Sequence, residues 1–304
     1  MRIGLGLEMG GSIDEIVARA RVLASTGAVS LWSSQIFGWD TLTVLAAVGR
    51  EVPGVELGTA VIPIHPRHPM MLAEQALTVQ AASGGRLVLG IGLSHQVVVE
   101  GVWGYSFDKP ARYMKEYLSV LVPLLHGEQV SFNGEVIRTN TFGPLDVVPT
   151  PPPPVLVAAL GPTMLRLAGE LADGTVTWMV GPATVEQHIV PAITAAASAA
   201  GRPAPQVVVT LPVCVTDDPD AARARADKIF AMYGQLPSYR AMLDREGAAG
   251  PAQVAVVGNE EEVTAQIRRL ADGGATEFSG AVYGSPSEVA RAQTLLGALA
   301  TASN

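Results

Sequence analysis

Residues 55–92 read VELGTAVIPIHPRHPMMLAEQALTVQAASGGRLVLGIG, and they divide into a strand, a helix and a second strand. The apolar, β-branched run 55–62 reads as a strand. Pro69 suits the first turn of a helix, and the Gly84-Gly85-Arg86 turn announces another strand at 87–91. A strand, a crossover helix and a strand in so short a stretch make the repeating unit of a parallel sheet.

The same alternation runs outward in both directions. Residues 2–7 read as strand one, and Ser12-Ile-Asp-Glu15 has the spacing of a capping box that opens a helix to about Ser25. Strand two is 29–33, with its helix at 41–51, and a helix at 110–125 follows strand four. The segment 126–154 breaks the rhythm. Its VSFNGEVIR places Asn133-Gly134 between two alternating runs as a two-residue hairpin turn, and Pro149 with Pro151 to Pro154 makes a stiff connector. Strands five (155–159), six (174–179), seven (206–215) and eight (277–283) restore the alternation, each followed by a helical stretch. Eight such units favour a closed (β/α)8 TIM barrel, a single domain over 1–304 with insertions after strand 4 and between strands 7 and 8.

Composition narrows the class. With 48% hydrophobic and 16% charged residues, the 304-residue chain can bury a large core and is not disordered. A net charge of −8 disfavours binding to nucleic acid. Cys214 stands alone, so no intrachain disulfide forms, and its apolar strand makes it a core thiol. No run approaches the roughly 18 apolar residues of a membrane helix, and no charged leader precedes an apolar segment. A cytoplasmic protein with no membrane partner is expected.

Active-site groups of such barrels come from the C-terminal strand ends and the loops after them. Those ends carry Glu8, then Ser34 and Gln35, then Ala60, Val61 and Ile62. Further along stand Gly92, Leu93, Ser94 and His95, then Ala159, Leu160 and Gly161, then Trp178 and Met179. These groups are mostly small, apolar or amide. They include no carboxylate cluster and no histidine pair at ligand spacing, so no metal is expected. A planar cofactor that does the chemistry itself suits such a site. Gly4 and Gly6, like Gly90 and Gly92, face one side of their strand; room for a flat ring and ordinary barrel packing explain them equally.

Gly90-Ile-Gly92 begins like a dinucleotide fingerprint, but His95 holds the third glycine position. Gln96 likewise stands where a nucleophile elbow wants glycine. Backbone N–H groups can still face an anion in the turn 92–95, and at Ala159 to Pro162, which opens the helix MLRLAGELA. Of the five histidines only His95 sits beside a glycine turn at the mouth. His65 and His68 frame a loop Pro-Arg, His126 lies near a helix C-terminus, and His188 is expected to face solvent.

The run LGTAVIPIHPRHPMMLAEQALTVQAASGGRLVLGIGLSHQ resembles the signature region of luciferase-like monooxygenases, within them the F420-dependent oxidoreductases related to methylenetetrahydromethanopterin reductase. PVLVAALGPTMLRLAGELADGTVTWM resembles a second signature of the group, and VSLWSSQIFGWD its strand-two end. The resemblance implies the deazaflavin coenzyme F420 at the barrel mouth, with FMN as the alternative. It implies a non-proline cis peptide at Ala60–Val61, in a bulge with Ile62 behind the ring system. The turn Gly92, Leu93, Ser94, His95 would hold the cofactor phosphate, and Ala158, Ala159, Leu160, Gly161 and Pro162 a second wall, with Trp178 beside them.

The implied activity is hydride transfer between the deazaflavin and a small organic substrate. A monooxygenase fed reduced FMN by a partner reductase and a non-catalytic cofactor-binding barrel are the rival readings. Many relatives place a histidine where Gln35 stands. Glutamine does not exchange a proton near neutral pH, so proton handling falls to His95 or Glu8, or needs no protein acid. Arg67, Lys109 and Arg112 are candidate partners of an anionic cofactor tail. Trp103, Tyr105, Phe107, Tyr233 and Tyr239 are candidate substrate contacts. A homodimer is also implied.

Overall fold

The computed structural model describes residues 1–147 and 151–302. Its strands are β1 (Arg2–Gly6), β2 (Ser30–Ser33), β3 (Glu56–Thr59), β4 (Ile62–Pro63), β5 (Leu87–Gly92) and β6 (Ser131–Asn133). They continue as β7 (Arg138–Asn140), β8 (Val155–Val157), β9 (Gly174–Trp178), β10 (Gln206–Val215), β11 (Val256–Gly258) and β12 (Glu277–Val282). Strands β1, β2, β3, β5, β8, β9, β10 and β12 pair in parallel in that order, and β12 returns to β1. The sheet closes on itself as the expected eight-stranded barrel.

Alternation along each strand sends one set of side chains outward and one inward. Ile3, Leu5, Leu31, Leu57, Leu89 and Ile91 face the helices and join the main core. Trp32, Val88, Leu156, Val176 and Val208 form a separate cluster inside the barrel. The inner-face glycines serve this interior. A β-carbon at Gly58 would fall 2.3 Å from the Trp32 ring, and one at Gly4 2.2 Å from Ser30 Oγ. At Gly90 it would fall 1.8 Å from the Thr59 carbonyl oxygen. Close packing of protein on protein accounts for these three positions.

Polar side chains floor the N-terminal end of the barrel. Buried Glu277 accepts hydrogen bonds from Arg2 Nε at 2.9 Å and from Trp32 Nε1 at 2.6 Å, and Ser30 Oγ donates to it as well. Arg2 also pairs with half-exposed Glu56 of β3.

Local signals read from the chain recur in the helices. Ser12 caps the helix Ile13–Ser25 with both arms of the capping box present, Ser12 N donating to Glu15 Oε2 at 2.7 Å. Pro69 occupies the first turn of the helix Pro69–Ala82.

Four readings need correction. The expected strand 55–62 is interrupted where the non-proline cis peptide falls at Ala60–Val61, as the resemblance implies, and β4 resumes beyond it to pair with β5. The hairpin loop spans Gly134 to Ile137 rather than two residues, because Asn133 pairs with Arg138. The buried carboxylate of Glu116 fills that loop, accepting from the backbone N–H groups of Glu135 (3.1 Å), Val136 (2.9 Å) and Ile137 (3.0 Å). A short helix, Gln96–Gly101, precedes the helix Pro110–Leu125 in what reads as loop. The second insertion also contains β11, which extends the sheet beside β10. Of the proline connector, Pro149 lies outside the described residues.

Candidate active site

Every residue singled out from the strand ends lies at the C-terminal mouth of the barrel, because the eight strands run parallel. The bulge after β3 brings Ala60 and Val61 against the interior cluster. Its carbonyls are held from the β2 loop, where Ser34 Oγ donates to Ala60 O at 2.8 Å and Gln35 N to Val61 O at 3.4 Å. Gly92 faces this bulge: a β-carbon there would meet Val61 Cγ2 at 2.7 Å and Ala158 Cβ at 3.3 Å. The turn that follows puts Ser94 in left-handed backbone, with φ at 62°. Non-glycine residues adopt that region rarely, and such turns can converge successive N–H groups on an anion. Beside it, on the end of the neighbouring β8, Ala158 is exposed, and a β-carbon on Gly161 would meet nothing within 4 Å. Pro162 then starts the helix Pro162–Leu171.

The three candidate proton carriers differ in their freedom. Gln35 is fully engaged in its own loop, accepting from Thr41 N at 2.7 Å and donating to the carbonyls of Ile36 and Trp39, each at 3.3 Å. Its amide braces residues 34–41. Glu8 is exposed on the β1 loop, and its backbone carbonyl accepts from Arg19 at 2.6 Å. His95 is half-buried, tilted against Tyr239 with ring centroids 5.6 Å apart, and burial holds its pKa below the ordinary value.

Two aromatic groups border the mouth. On one side Trp178 meets Phe230 at 5.8 Å and Tyr233 at 5.6 Å, and Tyr233 meets Tyr239 at 5.3 Å, all edge-on. Through Tyr239 and His95 this chain of rings joins the β9 end to the β5 turn, so the insertion between β10 and β12 reaches over the mouth. Burial pushes the Tyr233 and Tyr239 phenols up. On the other side His65, only 7% exposed, stacks between Tyr113 at 4.5 Å and Phe107 at 5.7 Å. Burial lowers its pKa, opposed by a hydrogen bond to the Leu93 backbone.

In the chain His65 only frames a loop Pro-Arg with His68. Its burial beside Leu93 depends on helix Pro110–Leu125 packing against it, which no local pattern announces. His188 also departs from expectation: it lies on a π-helical turn, Val185–Ile189, and Nε2 contacts the Leu160 carbonyl at 2.8 Å. That bond fixes part of the Ala158 to Pro162 wall. His68 and His126 serve helix ends, His68 Nδ1 accepting from Met70 N at 3.3 Å and His126 Nδ1 meeting Val122 O at 2.8 Å. Among the described residues no group of three or more His, Cys, Asp or Glu can hold a metal ion.

The three candidate cations all have carboxylate partners. Arg67 pairs with Asp40 at 2.5 Å, its side chain 16% exposed. Lys109 and Arg112 share Glu135 in the open, with Lys109 64% exposed. Burial works to raise the Asp40 carboxyl, but hydrogen bonds from Thr43 and Arg67 outweigh it and hold it below its ordinary value.

A family model described as luciferase-like monooxygenase matches residues 1–277. The chain is 29% identical over 267 residues to the 5,10-methylenetetrahydromethanopterin reductase of Methanolobus tindarius, covering 85% of this chain and 78% of that protein. It is 33% identical over 195 residues to the F420-dependent glucose-6-phosphate dehydrogenase of Nakamurella multipartita, covering 62% and 57%. Its fold matches the coenzyme F420 dependent tetrahydromethanopterin reductase of Methanopyrus kandleri with a TM-score of 0.79, over 98% of both chains at 22% identity. No helix among the described residues is long and apolar enough to cross a membrane. The closed barrel and the match across nearly the whole chain agree: the protein belongs to the luciferase-like monooxygenase family.

Proposed function

We propose that this protein is an F420-dependent oxidoreductase that seats the deazaflavin at the barrel mouth and acts on a small organic substrate. One observation carries the reading. The mouth exposes backbone and small side chains, with Gly92, Ala158 and Gly161 around it and, among the described residues, no group of three or more His, Cys, Asp or Glu that could hold a metal ion. Such a surface can admit a flat ring system but supplies little chemistry of its own. When bound, the deazaflavin supplies the position that accepts or donates hydride.

The protein's own groups then bind, orient and exclude water. The turn Gly92 to His95 offers N–H groups to the cofactor phosphate. The bulge at Ala60 to Ile62 backs one face of the mouth, and Ala158 to Pro162 with Trp178 line another. Lys109 and Arg112 are the cations best able to meet an anionic tail, since exposed ion pairs are weak and exchange readily. His95, neutral near pH 7 because its pKa is lowered, is the imidazole available to hold or pass a proton. Gln35 fixes the β2 loop and leaves that task to others.

The test is a titration of the purified protein with F420 and, separately, with FMN, followed by absorbance and fluorescence. Tighter binding of F420 is expected. Tighter binding of FMN, or binding of neither, overturns the reading.

A further inference from the structure

We infer that the substrate side of this mouth takes an uncharged, predominantly apolar molecule; the inference rests on the mouth being the active site. Large apolar side chains stand out into solvent on three loops at this one end of the barrel, and six of them mark its rim. Ile36 (64% exposed), Phe37 (70%) and Trp39 follow β2, Val97 and Tyr105 follow β5, and Met232 lies in the insertion after β10. A lone exposed apolar residue means little, but a group of them around a mouth marks a binding surface. The β2 loop is not loosely held. Ser34 and Gln35 tie it to the bulge, and Trp39 Nε1 donates to Gly11 O at 2.8 Å. Its apolar side chains are therefore displayed on a braced loop.

Charge and hydrogen-bonding groups on the loops after β1, β2, β4 and β5 disfavour the other substrate classes on that side of the mouth. On the loops after β1, β2, β4 and β5 the lysine and arginine residues are Arg67, held by Asp40, and Lys109, which the cofactor tail would engage. Glu8, Glu100 and Asp108 add negative charge there. An anionic substrate meets repulsion instead of a partner. A polyhydroxylated neutral substrate needs free amides, and on these loops the glutamines are committed, Gln35 to its loop and Gln96 to Glu100 at 3.0 Å. What remains for a ligand is apolar contact with the rim and with the edge-on rings of Trp178, Tyr233 and Tyr239.

The experiment measures binding of hexanol, decanol, decanoate and decylammonium by calorimetric titration, with and without saturating F420. Burying a methylene strengthens binding up to about fourfold. Decanol is expected to bind at least about tenfold more tightly than hexanol, and by a like factor more tightly than either charged analogue. Phe37→Ser and Ile36→Ser should each weaken decanol binding about fivefold or more and leave F420 affinity unchanged. Equal binding of a charged analogue, no gain with chain length, or variants with unchanged decanol affinity would overturn the inference. So would a Phe37→Ser variant that changes the sedimenting species but not decanol binding, which assigns the patch to a second copy of the chain. F420 binding without this selectivity refutes the substrate class alone; selectivity without F420 binding refutes the cofactor assignment alone.

Discussion

A β-carbon added at Gly92 points at Val61, not into open space. Valine there must displace the Val61 side chain toward the mouth, so the effect on a cofactor is transmitted through the bulge. Overpacking of this kind costs about 1–3 kcal/mol, and the Gly92→Val protein should still fold. Its F420 affinity is expected to fall at least about tenfold, measured by fluorescence titration beside a thermal unfolding curve. Unchanged affinity would dissociate the β5 turn from the cofactor. His65 and His95 set a second expectation. Burial holds both pKa values below their ordinary 6.5, so the fold favours the neutral rings while the unfolded chain takes up protons more readily. Their contribution is complete above that ordinary value and is lost as pH falls through the lower folded values. Urea unfolding should therefore show stability dropping from about pH 7 to pH 5, less steeply in His65→Phe. An identical slope in that variant would acquit His65. At this scale the chain revealed which residues reach the mouth, since strand ends follow from periodicity. It did not reveal which are already spoken for. The partners of Gln35, Arg67 and His65 are set by loop closure and by helix packing from distant segments.

The hairpin after the helix Pro110–Leu125 shows the same limit for an element. Asn133-Gly134 is a local signal for a two-residue turn, and the local reading found the hairpin and misjudged its loop. Glu116, buried at 8% exposure on the preceding helix, draws three backbone N–H groups around one carboxylate and stretches the loop to Ile137. A hydrogen bond to a charged acceptor contributes about 1.5–3 kcal/mol, and removing one acceptor that serves three donors is not additive. Glu116→Ala should lose about 2–4 kcal/mol, and Glu116→Gln about half as much. Amide hydrogen exchange at residues 135–137 should accelerate in the alanine variant. Amides that stay protected would show that backbone pairing, not the carboxylate, shapes the loop. β11 and the helix Gln96–Gly101 leave no local signature in the chain for a related reason. Elements of three and six residues are too short to display a period, and packing alone decides them. The eight barrel strands were legible because each is tied to a long amphipathic or apolar neighbour.

The whole molecule divides its labour between two ends. At the N-terminal floor, Glu277 gathers Arg2, Ser30 and Trp32 across the seam where β12, β1 and β2 meet. At the C-terminal mouth, Gly92, Ala158 and Gly161 leave space, and the side chains there brace loops rather than the barrel seam. Stability should therefore respond to the floor and ligand affinity to the rim, as barrels of this type generally separate them. Glu277→Ala strands the buried Ser30 hydroxyl proton, leaves Trp32 Nε1 only its 2.9 Å bond to Ser30 Oγ, and removes a partner of half-exposed Arg2, an expected loss of about 2–4 kcal/mol. Its folded fraction should still bind F420 within about twofold of the parent, because no mouth residue is touched. Ala158→Val adds two methyl groups to an exposed position in the rim, so unfolding should shift by less than about 1 kcal/mol. Its F420 affinity should nevertheless fall about tenfold or more, since the added bulk enters the space beside Gly92. Measuring both quantities on both proteins gives a crossed pattern that neither variant can mimic by general damage. If Glu277→Ala loses affinity in proportion to stability, or Ala158→Val unfolds readily and binds normally, floor and mouth are mechanically one unit and the division fails.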